Sequence, residues 1–132
     1  MPITALYAGL LAPLFVVLAM RVIGARRGAK VAIGDGGDAQ LRRRMRVHAN
    51  FAEYVPLALL LIGLAESLKV SPTLLHACGI VLLLGRLVHA FGVSQETEDL
   101  RLRVTGMVAT FGVILAAAAA CLFGALGRGV GL

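Results

Sequence analysis

The residues with the clearest chemical pattern lie in the second of four apolar stretches. Arg46, Asn50 and Glu53 are separated by four and three residues, which places them on one face of an α-helix that turns about 100° per residue. An ionisable side chain inside a bilayer costs about 2.5–3.5 kcal/mol on insertion scales, so such groups face a partner or a wet cavity. The stripe therefore predicts a site for polar or charged groups. An ion pair between Arg46 and Glu53 that only joins helices is the alternative.

The third and fourth apolar stretches add further basic side chains. Arg86 and His89 are three residues apart in the third stretch and so share a helix face. Arg101 and Arg103 open the fourth stretch, where Arg101 fits better as a side chain that only snorkels to the membrane surface. Together with the stripe on the second stretch, they predict a cationic pocket with one carboxylate, suited to an anionic ligand.

Four helices are predicted to position these side chains. The chain has 132 residues, of which 59% are hydrophobic and only 15% charged, and its mean hydropathy is +0.90. Soluble domains average about 25% charged residues. We therefore predict an all-α membrane protein, a single transmembrane domain over residues 1–132 that forms an up-down bundle of four helices. The predicted spans cover residues 3–23, 40–68, 72–91 and 102–126, and the middle two need polar extensions to cross a bilayer.

Lysine and arginine predict the orientation of the bundle. Most of them flank the first and third connections between the spans, whereas only Lys69 and Arg128 lie at the other end of the predicted bundle. By the positive-inside rule, the loops at 24–39 and 93–101 are expected to be cytoplasmic and both termini outside. The net charge of +6 thus reflects topology. Nucleic acid is not an expected partner, because no base-reading element accompanies the charge.

The sequence predicts no metal site. The segment from Gly34 to Asp38 resembles part of a calcium or phosphate loop but lacks the remaining ligands. His48 and His89 do not form a convincing zinc set with Glu53. His76 lies in the outer half of the third span without an evident partner, which favours packing over ligation.

The order of residues in the second stretch resembles a known signature. Arg46, Asn50, Glu53, Tyr54 and Pro56 fit the pattern Arg-x-x-x-Asn-x-x-Glu-Tyr-x-Pro of the MAPEG superfamily, the membrane-associated proteins in eicosanoid and glutathione metabolism. The resemblance extends to matching segments after the first span, in the third span and at the start of the fourth, namely Ala25-Arg26-Arg27, Gly85-Arg86-Leu87-Val88-His89, and Arg103 with Gly106. It covers nearly the whole chain and is greatest for the small bacterial inner-membrane members.

The resemblance implies a homotrimer that binds glutathione as co-substrate at the cytoplasmic side of each subunit interface. Spans one and two of one subunit and spans three and four of its neighbour would form this site. The implied activity is a glutathione transferase or peroxidase acting on small hydrophobic electrophiles that enter from the lipids of the inner membrane. By motif position Arg103 is the expected catalytic residue, and the expected glutathione contacts are Arg26, Arg46, His48, Asn50, Glu53, Tyr54 and His89.

Two features keep an alternative function open. Relatives that are enzymes often carry a tyrosine one turn after the position of His89, where this chain has Val93. The superfamily also includes a member that binds lipid without catalysis, so a non-catalytic lipid-binding or structural protein is the alternative. The spacing to Gly106 favours Arg103 over Arg101 as the residue near the sulfur, without fixing which of the two faces the pocket.

Overall fold

A computed structural model describes residues 1–95 and 99–129, which form four long α-helices. These are α1 (Pro2–Ala29), α2 (Ala39–Ser67), α3 (Pro72–Ser94) and α4 (Leu100–Leu126). All four are long and apolar enough to cross a membrane, so the predicted all-α four-helix architecture is confirmed. At the arginine-rich end, α1 and α3 run further than the spans predicted from hydropathy, because a helix continues past its apolar run until a local stop signal ends it.

The helix ends follow from local chemistry. α1 and α3 begin at Pro2 and Pro72, and proline suits the first position because its ring fixes φ and it has no N–H group to leave unpaired. α2 and α4 begin after Asp38 and Asp99, whose carboxylates each accept a first-turn backbone N–H, at 2.8 and 2.9 Å. α1 ends where Lys30 adopts a left-handed φ of 54°.

The loop between α1 and α2 is stabilised by its own side chains. Asp35 accepts a hydrogen bond from the Gly37 N–H at 3.0 Å and forms an ion pair with Arg42 of α2. These two donors, the Gly37 N–H first, hold the pKa of the Asp35 carboxyl below its ordinary value. Gly36 and Gly37 have φ of 56° and 82°, which glycine adopts without strain. The glycine conformations and the contacts of Asp35 therefore form a turn between α1 and α2.

α3 and α4 pack closely because glycines line their contact. A Cβ atom at Gly106 of α4 would lie 2.6 Å from the carbonyl oxygen of Gly85 and 2.6 Å from the Cβ of His89, both on α3. Small residues at such crossings let the backbones of membrane helices approach each other. The close approach places the first turn of α4, with Arg103, beside His89.

At the opposite end of the bundle, a carboxylate joins α2 to α1. Glu66 accepts hydrogen bonds from the N–H of Ile3 at 2.9 Å, the N–H of Thr4 at 2.8 Å and the Thr4 hydroxyl at 2.6 Å. The first N–H groups of a helix have no partner within the helix, and negative charge is favourable there. Glu66 therefore caps α1 and fixes its start against the end of α2.

His76 has a partner, contrary to the expectation from sequence. Its Nδ1 atom lies 3.0 Å from the hydroxyl of Tyr7, a side chain that is only 5% exposed. The Tyr7 ring lies against Gly79, where a Cβ atom would overlap it. The pair joins α1 to α3, a contact between distant residues that hydropathy does not report.

Large apolar side chains cover the outside of the bundle. Leu60 is 58% exposed, Leu115 71% and Phe123 76%. A soluble monomer rarely exposes a continuous apolar surface of this kind, whereas in a bilayer the same side chains meet lipid tails or other helices. Together with the four spans, this surface defines a multi-pass membrane protein.

Removal of the Glu66 cap is expected to loosen the packing of α1. Glu66→Ala eliminates all three hydrogen bonds, whereas Glu66→Gln keeps one oxygen acceptor but loses the charge. We expect the melting temperature in detergent to fall by a few degrees in Glu66→Gln and further in Glu66→Ala. Equal melting temperatures for the wild type and Glu66→Ala would show that the cap contributes nothing to stability.

Candidate functional site

A cavity of about 130 Å³ lies between α2, α3 and α4 at their arginine-rich ends. Four of the predicted site residues line it: Arg46 and Asn50 from α2, His89 from α3 and Arg103 from α4. Helical spacing brings the α2 pair to this face, and the glycine contact between α3 and α4 brings His89 and Arg103 together. Residues that are distant in sequence thus meet within one chain. We call this the α2–α3–α4 cavity.

Arg86 connects the helices around this cavity. Its side chain is 1% exposed. Nη2 donates to Asn50 Oδ1 at 2.6 Å and to His89 Nδ1 at 3.2 Å, and Nη1 donates to Thr110 Oγ1 at 3.3 Å. Asn50 belongs to α2 and Thr110 to α4, so one guanidinium links three helices. Arg86 therefore positions two of the residues that line the cavity.

The Arg86 contact defines the hydrogen-bonding state of His89. A guanidinium only donates hydrogen bonds, so the His89 Nδ1 that it contacts must be the acceptor nitrogen of the ring. In a neutral imidazole the proton then lies on Nε2, which is a donor. In this arrangement the neutral His89 ring carries its proton on Nε2, so Nε2 is not a base.

The lining of the cavity is cationic. Besides Arg46 and Arg103, the side chains of Arg42 and Arg43 contribute to it, while Val93 supplies an apolar wall. No acidic side chain is among the lining residues within 1–95 and 99–129. Clustered arginines in a recess raise the local concentration of anions, and their planar guanidinium groups suit carboxylates and phosphates. The arrangement favours an anionic ligand.

The volume of the cavity limits what one chain can hold. Sites that enclose a drug-sized ligand usually measure about 300–1,000 Å³, which is larger than the 130 Å³ found here. A ligand of that size would extend beyond the cavity and onto the exposed face of α2. Arg46 and Glu53 are both exposed on that face.

Arg26 lies outside the α2–α3–α4 cavity. Its Nη1 donates to the carbonyl oxygens of Ala32 at 3.3 Å and Gly34 at 2.8 Å, and its Nη2 contacts the sulfur of Met45 at 3.5 Å. These contacts hold the loop after α1 against α2. Within one chain, Arg26 therefore positions this loop.

His48 and Tyr54 also face away from the cavity. The His48 ring packs on Phe15 of α1, with centroids 4.8 Å apart. Its Nε2 is buried, and no hydrogen-bond partner occurs among the residues that the structure describes. Tyr54 packs edge-on against Phe111 of α4 with centroids 5.3 Å apart. The two side chains lie on different sides of α2, so only part of the expected contact set shares one cavity.

The sequence predicted only part of the role of Arg86. Its spacing from His89 predicted a shared face, but the expected contact set did not include Arg86. Its burial, and its bond to Asn50, depend on how closely α2, α3 and α4 pack. A buried arginine on a span is itself a signal, because such a residue requires internal partners.

These features define a four-helix membrane protein with an arginine-lined cavity at one end of the bundle. A model of the MAPEG family matches residues 4–123. The inner membrane protein YecN of Escherichia coli strain K12 is 39% identical over 113 residues, covering 86% of this chain and 85% of YecN. YecN of Escherichia coli O6:H1 gives the same identity and coverage. The chain belongs to the MAPEG family, which confirms the resemblance found in the sequence.

Proposed function

We propose that this protein is a homotrimer of the bacterial inner membrane that binds glutathione and transfers it to, or uses it to reduce, small hydrophobic electrophiles. The convergence of Arg46, Asn50, His89 and Arg103 on one cavity, in a chain of the MAPEG family, is the observation that supports it. The similarity to YecN, an inner membrane protein by name, supports the location. The arginine-rich end, with loops 24–39 and 93–101, faces the cytoplasm in this proposal.

The charges of glutathione match those of the site. The tripeptide carries two carboxylates and one ammonium group, and several arginines with a single glutamate complement that pattern. In this arrangement Arg46 binds a carboxylate. Asn50, whose Oδ1 is already bonded to Arg86, offers its Nδ2 hydrogens to a peptide carbonyl. Glu53 accepts an N–H of the ligand.

Arg103 is the proposed stabiliser of the glutathione thiolate. Lowering a thiol pKa by two units takes about 2.7 kcal/mol. One arginine about 4 Å away supplies about 4 kcal/mol at an effective dielectric constant of 20, before desolvation and solvent screening are subtracted. The thiolate then attacks an electrophilic carbon, a C–S bond forms, and the leaving group departs with the electron pair.

A trimer would complete the site. The cavity of one chain is too small for the whole ligand, and Arg46 and Glu53 lie exposed on a helix that crosses the membrane. Charged groups at that depth require a partner. A neighbouring subunit that covers this face would enclose the rest of the ligand.

The first test measures glutathione-dependent stabilisation of the purified protein in detergent. We expect glutathione to raise the melting temperature of the wild type, and Arg46→Ala and Glu53→Ala to weaken its binding by about tenfold or more, since each loses a charge-assisted contact. Arg27→Ala is the matched control, because Arg27 is an exposed arginine outside the cavity. Undiminished stabilisation in both site variants would contradict the proposed contacts.

A non-catalytic binding protein is the second candidate. It is favoured by Val93, which is 6% exposed and lines the cavity where enzymatic relatives often have a tyrosine. Without that hydroxyl, the thiolate has one hydrogen-bond donor fewer. Glutathione binding without thiolate absorbance in the ultraviolet would support this candidate over the enzyme.

A further inference from the structure

A second and larger cavity, of about 390 Å³, lies between the end of α1, the start of α2 and the end of α3. Its charged lining consists of Arg21 from α1 with Arg43 and Arg44 from α2, and Ser94 of α3 adds a hydroxyl. Arg21 and Arg44 do not line the α2–α3–α4 cavity. We infer that this cavity binds a phosphate group, and we call it the Arg21–Arg44 cavity.

Two of these arginines, Arg21 and Arg44, are held in place by neutral acceptors. Arg21 Nη1 donates to Ser94 Oγ at 3.0 Å, and Arg44 Nη1 donates to the carbonyl oxygen of Arg21 at 3.2 Å. Each guanidinium has five N–H donors, so these bonds orient the groups and leave most of their donors for a ligand. Two guanidinium groups fixed around one space repel each other unless an anion lies between them.

The remaining lining is compatible with an anion. None of the lining residues within the described parts of the chain is acidic. The first turn of α2 adds Ala39 and Gln40 to the lining. Both Arg21 and Arg44 are partly buried, so their interaction with a bound phosphate is less screened by solvent than that of an exposed pair.

The cavity lies at the end of the bundle that is expected to meet the lipid head groups, which carry phosphate. Arg21 follows the uncharged run of α1, and Ser94 is the last residue of α3, so the cavity lies at the height where the apolar part of the bundle ends. Basic pockets between membrane helices at this height bind the head groups of anionic lipids. A phospholipid phosphate is therefore one source of the ligand and inorganic phosphate in the aqueous phase is the other.

The test uses wild-type protein in detergent with three separate probes: short-chain phosphatidylglycerol, short-chain phosphatidylcholine and inorganic phosphate. We expect a saturable rise in melting temperature with an anionic phosphate probe, weakened by about tenfold in Arg21→Gln and in Arg44→Gln. Arg27→Gln, which removes an exposed arginine near the same end, is the matched control. Glutathione binding should be unchanged in Arg21→Gln, which separates this site from the proposed function.

The outcomes distinguish the two sources. Saturation by phosphatidylglycerol, with little effect of phosphatidylcholine or inorganic phosphate, indicates a lipid head group. Saturation by inorganic phosphate with the same dependence on Arg21 indicates free phosphate. Absence of saturable stabilisation, or an equal loss in the Arg27→Gln control, overturns the inference. Arg44→Lys keeps the positive charge. Weaker but measurable binding in that variant supports the inference, because it shows that the loss in Arg44→Gln does not come from misfolding.

Discussion

We expect Arg103→Ala to retain glutathione but to lose most of its thiolate. In the proposed site Arg103 is the cation nearest the sulfur, whereas Arg46 and Asn50 bind other parts of the tripeptide. Without that cation, the pKa of the bound thiol returns toward that of free glutathione. A return by two pKa units lowers the ratio of thiolate to thiol at a given pH by about a hundredfold. The measurement is the ultraviolet thiolate absorbance of the glutathione complex, with conjugation of a hydrophobic electrophile as the second readout.

Arg101→Ala is the matched control for this substitution. Arg101 and Arg103 are both exposed in the first turn of α4, but only Arg103 lines the α2–α3–α4 cavity. The control should keep both the absorbance and the conjugation rate. A reversed pattern, in which Arg101→Ala loses the thiolate and Arg103→Ala keeps it, would assign the role to Arg101. Unchanged absorbance in both variants would show that neither arginine stabilises the thiolate.

The second large effect is expected from Gly106→Ala. The added Cβ would lie 2.6 Å from the carbonyl oxygen of Gly85 and 2.9 Å from the Cα of His89, so the backbones of α3 and α4 must separate. Overpacking of this kind costs about 1–3 kcal/mol of stability. The separation also moves Arg103 away from His89. We therefore expect a lower melting temperature together with loss of glutathione binding, both measured by thermal unfolding with and without glutathione.

Gly112→Ala on the same helix is the control for Gly106→Ala. Beyond the adjacent backbone of α4, no atom of the described residues lies within 4 Å of a Cβ added at Gly112. Alanine also favours helix over glycine by about 0.8–1.0 kcal/mol. Gly112→Ala should be as stable as the wild type or more so, and should bind glutathione normally. If Gly106→Ala behaves like this control, close packing of α3 on α4 is not what assembles the site.

The part of the site that follows from helical periodicity could be predicted from the sequence. Arg46 and Asn50 are one turn apart, as are Arg86 and His89 on α3, so their shared faces required no knowledge of packing. Helical periodicity also places some of the expected glutathione contacts on different faces of α2. His48 is two residues from Arg46, about 200° around the helix, and in the structure its ring packs on Phe15 of α1.

Contacts between distant parts of the chain could not be predicted in the same way. Arg26 holds loop carbonyl groups, and the shape of that loop is set by glycine conformations that have no periodic signal. The bond of Arg86 to Asn50 depends on the distance between α2 and α3. Glu66 marked the end of an apolar run in the sequence, but its role as the cap of α1 required the two helix ends to be adjacent.

Equilibrium titration of the purified wild-type protein with glutathione tests the central claim most directly. The arginines gathered at one end of α2, α3 and α4 are proposed to hold this anionic thiol, so calorimetry should give saturable binding that weakens as salt rises. S-methylglutathione, which keeps both carboxylates but cannot form a thiolate, should also bind. A flat titration with glutathione in lipid-reconstituted protein of confirmed fold would contradict the account.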